Sequence, residues 1–149
     1  MTQQDLIDWV SFLSEARAEF GGLPPCPFAL KALTDNKVAL LPAPVDTVET
    51  ELLLKRKEVV IYWHDPADIS AAELTAICDK INTSYPGLVA LEDHPEDLEQ
   101  VSGVTLNQAQ WALILIQDRH KLERARAMLK RTDYYKNWSW EYLSDVLGM

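Results

Sequence analysis

Hydrophobic positions along the chain change period several times, and each change marks an element. Leu6, Trp9, Val10, Leu13, Ala16 and Phe20 recur at helical spacing, which predicts a helix over 2–19, capped by Thr2 and ended by Gly21-Gly22. A proline-rich corner follows, Leu23-Pro24-Pro25-Cys26-Pro27-Phe28-Ala29. Proline suits the first turn of a helix, so a short helix is expected over 28–33 with Cys26 at its N-cap. Residues 37–41 read as a strand closed by Pro42 and Pro44. Asp46 and Glu49 resemble a capping box for a helix over 46–56.

The β-rich run 59–63 is stopped by His64-Asp65-Pro66. Ser70 and Glu73 form a second capping box, opening a helix with Leu74, Ile77, Cys78 and Ile81 inward and Tyr85-Pro86-Gly87 at its end. The strand 88–91 runs into Glu92-Asp93-His94-Pro95. A polar stretch with a turn at Ser102-Gly103 leads to the strand 111–116, the most apolar in the chain. Asp118 then caps a helix over 119–131, with Leu122, Ala125, Met128 and Leu129 inward. A last helix is expected from Asn137 or Ser139 to a C-cap at Gly148.

Alternation of strands and helices implies a single α/β domain over 1–149. The expected architecture is a mostly parallel sheet of about four strands with helices packed on it, an extra N-terminal helix and a C-terminal helix pair. The long approach to the last strand leaves its direction open, and an antiparallel return also fits.

Composition narrows the class. The chain has 149 residues, 48% hydrophobic and 25% charged, as in an ordinary globular protein. Its longest strongly apolar run, 112–116, falls short of the ~18 residues of a membrane helix. The first residues lack the pattern of a signal peptide, and two cysteines do not make a disulfide framework. A cytoplasmic protein with no membrane partner is expected. The net charge of −9 weighs against nucleic acid, whose binding needs phosphate neutralisation. The charge is uneven: residues 119–136 hold seven Lys and Arg against Glu123 and Asp133. This net +5 window can dock an anionic partner, or it can be a solvated face neutralised by the rest of the chain.

Candidate chemistry sits at strand ends. A parallel crossover would bring His64-Asp65 and Asp93-His94 to the carboxyl edge of the sheet, where α/β folds place ligands. There His64 and His94, with Asp65, Asp93 or Glu96 as oxygen donor, have the residue types of a metal site; the histidines equally suit acid–base work. The same tripeptides are good strand-stopping turns. Cys26 at a helix N-terminus would have its thiolate favoured by the helix dipole, making it a candidate nucleophile with His64 or His94 as base; a small apolar side chain at a tight corner explains it as well. Cys78 reads as core. With five glycines and no glycine-rich phosphate loop, no cofactor is predicted. Tyr134-Tyr135-Lys136-Asn137-Trp138-Ser139-Trp140-Glu141-Tyr142 places five aromatics in nine residues, a docking patch or a tail folded over the sheet.

Cys26-Pro27-Phe28-Ala29 after the first helix, a strand running into His94-Pro95, the strand 111–116 and the helix beginning Asp118-Arg119-His120-Lys121-Leu122 occur in an order that resembles a family of short uncharacterised bacterial proteins. That family carries a Cys-Pro-Phe-Ala motif after its first helix and a central His-Pro. Its members also tend to have a His-Pro after the earlier strand, where this chain has His64-Asp65. The resemblance implies an ordered α/β fold and a meaningful Cys26, and no reaction. The leading expectation is a small binding or accessory domain that recognises another protein, or a small anionic ligand, through the basic helix 119–131 and the aromatic C-terminal segment. The alternative is a small enzyme at the sheet edge, built on Cys26 with His64 or His94 or on a metal held by His64, Asp65, Asp93 and His94.

Overall fold

The structure, a computed structural model, describes residues 1–136. Thr2 accepts from the Asp5 backbone N–H while the Asp5 carboxylate accepts from the Thr2 N–H, so a reciprocal cap starts α1 (Gln3–Leu13). This helix is shorter than its hydrophobic period predicts. Ser14 turns its hydroxyl back on the Val10 carbonyl at 2.6 Å, the Leu13 carbonyl is taken by the Cys26 N–H at 3.0 Å, and Arg17 is extended. Hydroxyl back-bonding of this kind competes with helix continuation. A single 3₁₀ turn, Ala18–Phe20, completes the approach to the proline corner. Then come α2 (Ala29–Thr34), β1 (Val38–Pro42), α3 (Thr47–Leu53), β2 (Val59–His64), α4 (Ala71–Ser84) and β3 (Leu88–Asp93). A small hairpin, β4 (Gln100–Val101) and β5 (Val104–Thr105), precedes β6 (Ala112–Asp118) and α5 (Arg119–Leu129). The expected final helix lies outside the described residues.

The main sheet has the order β1-β2-β6-β3. β1 pairs β2 in parallel, whereas β6 is antiparallel to both β2 and β3. The expectation of a mostly parallel sheet is therefore corrected: among adjacent strands one pair is parallel. The cause lies in the 94–111 segment, which stays at the carboxyl edge after β3 and feeds β6 back from that side. β6 carries the most apolar run, and Ala112, Leu113, Ile114 and Ile116 are all 0% exposed, so it takes an interior position between β2 and β3.

Period-two alternation divides the sheet into two cores. Val60, Tyr62, Ala90, Ile114 and Ile116 face Leu74, Cys78 and Ile81 of α4. Ile61, Leu113 and Leu115 face Leu6 and Val10 of α1 and Ala29 and Leu33 of α2. A third cluster joins Phe20, Val101, Leu129 and Tyr134, tying the 3₁₀ turn and the hairpin to the end of α5. One outer edge of the sheet is sealed by a side chain. The Asn82 amide donates to the Ala90 carbonyl at 2.9 Å and accepts from the Ala90 N–H at 2.8 Å, standing in for a neighbouring strand on β3. Among the described residues no helix is long and apolar enough to cross a membrane.

Candidate functional site

β1, β2 and β3 run in one direction, so His64 and Asp93-His94 do reach the same edge. β6 separates them: His64 pairs Ala112, and Asp93 pairs Leu113. The residues then part company by face. Asp93 lies on the α1 side. His94 lies on the α4 side, where it is 2% exposed, and both its ring nitrogens are engaged. Nδ1 accepts from the Glu96 N–H at 3.1 Å, which fixes the proton on Nε2, and Nε2 donates to the Ile69 carbonyl at 2.8 Å. This geometry leaves the ring no lone pair for a metal or a substrate proton. His94 pins the start of the 94–111 segment to the turn before α4.

Asp93 serves the same segment through Asn107, a residue that the pattern of the sequence did not single out. Asn107 is 8% exposed. Its amide nitrogen donates to Asp93 Oδ1 at 2.9 Å and to the carbonyls of His94 and Asp97 at 3.3 and 3.1 Å, and its oxygen accepts from the Glu99 N–H. Asp93 Oδ2 accepts from the Gln108 N–H at 3.1 Å. Burial pushes the Asp93 carboxyl up, opposed by the Gln108 and Asn107 hydrogen bonds and by His94. One polar side chain thus closes a long loop over the sheet edge, with no signal in the sequence beyond an Asn in a polar stretch.

Asp65 accepts from the Ala67 N–H at 2.9 Å and shapes the turn after β2, and Glu96 is exposed. Among the described residues no three His, Cys, Asp or Glu side chains are grouped to hold a metal ion. His64 is the group at this edge with unused capacity: its Nδ1 is buried without a hydrogen-bond partner. Burial holds its imidazole below the ordinary histidine range, against the Ala112 backbone and Asp68, which favour the charged form.

Cys26 belongs to a different neighbourhood. α2 begins at Ala29 and its N-cap is Phe28, without a side-chain cap, so the expected cap at Cys26 is corrected. Three prolines around the thiol make a tight turn in which the Cys26 carbonyl accepts from the Ala29 N–H at 3.3 Å. Burial pushes the Cys26 thiol up, while the Phe28 and Ala29 amides pull it down. The balance is opposite to that of an activated nucleophile. The ionisable side chains beside it are Tyr134 and Tyr135, and neither histidine is among the groups acting on it. The Tyr134 hydroxyl donates to the Pro25 carbonyl, its ring stacks on Phe20 with centroids 5.5 Å apart, and Tyr135 meets it edge-on at 4.8 Å. The first aromatic of the C-terminal segment is therefore core, and Trp138, Trp140 and Tyr142 lie outside the described residues. Cys78 is fully buried, and burial with Glu92 and Asp79 nearby pushes its thiol up to about 12.

The basic helix is the remaining candidate. Asp118 caps α5 by accepting from the Lys121 N–H at 3.0 Å. Arg119 is spent on the fold, donating from Nε to the Pro86 carbonyl at 2.7 Å and from the guanidinium to the Leu88 carbonyl at 3.1 Å. Leu122 and Ala125 turn inward and Leu129 is buried, whereas His120, Glu123, Arg124, Ala127, Met128, Lys130 and Arg131 are exposed. Met128, expected inward, is 60% exposed. The exposed set recurs at three- and four-residue steps and forms one stripe. Compared with known proteins, the chain matches no family model, no curated protein and no solved structure.

Proposed function

We propose that this chain is a binding domain that docks an anionic surface of another protein on the solvent face of α5. The observation that carries this reading is the state of its cations. Within the described residues, ion pairs join Arg17 to Glu15 and Lys31 to Asp35; none of the seven Lys and Arg in 119–136 has a carboxylate within 4 Å. Neutralisation by the acidic part of the same chain would place carboxylates against these side chains. Instead Arg124, Lys130 and Arg131 stand in solvent beside an exposed Met128. Cations of this kind lose no internal partner on binding, and they steer an acidic partner electrostatically. The exposed methionine supplies adaptable apolar contact at the centre of the stripe.

The enzymatic alternative has less support. His94 is consumed by the fold, and burial disfavours the Cys26 thiolate. Binding of a labelled oligoglutamate peptide, followed by fluorescence anisotropy, tests the docking reading. It requires affinity that falls with salt and with charge reversal on α5.

A further inference from the structure

The two outer edges of the main sheet are treated differently. On β3, the outward backbone groups of Ala90 are bonded by Asn82, and those of Leu88 by the Tyr85 carbonyl and Arg119. On β1, the bonds from the Val59 N–H to the Lys37 carbonyl and from the Ala43 N–H to the Trp63 carbonyl set the alternation. Residues 37, 39, 41 and 43 turn their backbone groups toward β2, and Val38, Leu40 and Pro42 turn theirs outward. Among the described residues nothing bonds the outward N–H and C=O groups of Val38 and Leu40. α2 and α3 cover β1 from opposite faces, and they carry exposed apolar side chains: Phe28 at the cap of α2, Leu30 within it at 53%, and Val48 and Leu52 on α3 at 69% and 58%.

We propose that β1 pairs antiparallel with β1 of a second copy of this chain, joining two four-stranded sheets across a two-fold axis. Charge selects this occupant and this direction. The segments leading into β1 and β2 carry Lys37, Lys55, Arg56 and Lys57 against Asp35 and Glu58; those leaving them carry Asp46, Glu49, Asp65 and Asp68 and no Lys or Arg. Antiparallel pairing sets the basic end of each strand beside the acidic end of its partner, a self-complementary match that a parallel arrangement would reverse. Centring the axis on Leu40 gives a reciprocal pair of bonds between the two Leu40 residues and one from each Val38 N–H to the opposite Pro42 carbonyl. Pro42 has no N–H to return, so the ladder stops there. The same axis brings α2 beside its copy on one face and α3 beside its copy on the other, covering Leu30 and Leu52.

Sedimentation equilibrium of the full chain over a range of micromolar concentrations tests this. The expected mass rises toward two chains, and the Val38 and Leu40 amides gain protection from hydrogen exchange as it does. Val38→Pro removes one outward N–H and no internal bond. The double variant Leu30→Glu/Leu52→Glu alters exposed positions and keeps the fold. Each is expected to return the mass to one chain with unchanged circular dichroism. A one-chain mass at every concentration overturns the proposal, as does a dimer that the double variant leaves intact.

Discussion

The Tyr134 hydroxyl donates to the Pro25 carbonyl, one residue before Cys26 and more than a hundred positions away in sequence. This bond fixes the turn after α5 to the proline corner and closes the third core over the thiol. Tyr134→Phe leaves a buried carbonyl without its donor, at a cost of about 1–2 kcal/mol in denaturant unfolding. The same variant should quicken alkylation of Cys26. In the wild type, alkylation near neutral pH should be slower than for an ordinary thiol, because burial disfavours the thiolate.

Gly21 serves the same junction. Its φ is +67°, and an added Cβ would lie 2.5 Å from Asp133 Cβ and 2.7 Å from the Asp133 carbonyl oxygen. Gly21→Ala combines left-handed strain with overlap against backbone, so a loss of about 2–4 kcal/mol is expected. Thermal unfolding checks this, and an unchanged midpoint would mean that the 131–136 turn does not sit against the corner.

Asn107→Ala removes one side chain that bonds Asp93, His94, Asp97 and Glu99. A loss of about 3 kcal/mol is expected, since Asp93 remains buried with a partner missing. Hydrogen exchange should rise across the 94–111 segment and stay low in β2.

The stability of the protein should fall on mild acidification, through His64. Burial holds its folded-state imidazole below the ordinary range, so the unfolded chain takes up a proton first, near pH 6.5. The stability tied to neutral His64 is present above that pH and is lost as pH falls through it. His64→Asn should flatten the slope of unfolding free energy between about pH 7.5 and 5. Equal slopes for variant and wild type would contradict the partly buried placement of the ring.

How much of this was legible beforehand depended on how local the signal was. The caps at Thr2, Ser70 and Asp118 and the strands around Val60, Ala90 and Ile114 follow from short-range chemistry, and the structure has them close to where the pattern puts them. The turn at Ser102-Gly103 is also present, both residues at positive φ, and the pairing around it makes a hairpin. Strand order is not local. The apolar run of β6 suits an interior position, but its antiparallel direction comes from the long segment that returns it from the carboxyl edge, and no residue within β6 encodes that. The candidate site divides in the same way. His64, His94 and Asp93 do reach one edge, as strand direction requires. The roles of His94 and Asp93 are set by Ile69, Glu96 and Asn107, contacts that only the folded chain brings together. The cations of α5 were visible in the sequence, but that no carboxylate of the described residues pairs with them was not.

The proposed docking face is the stripe of α5 whose cations have no carboxylate partner among the described residues. Its most direct test compares wild type with Arg124→Glu/Arg131→Glu in binding the labelled oligoglutamate peptide. Charge reversal should weaken binding by about tenfold or more, as expected for two exposed charge contacts turned repulsive. The variant should unfold within about 0.5 kcal/mol of wild type, because both side chains are exposed. Binding by the wild type should also vanish at about 1 M salt, where the screening length is about 3 Å. Equal affinity for variant and wild type, or wild-type binding that ignores salt, would contradict it.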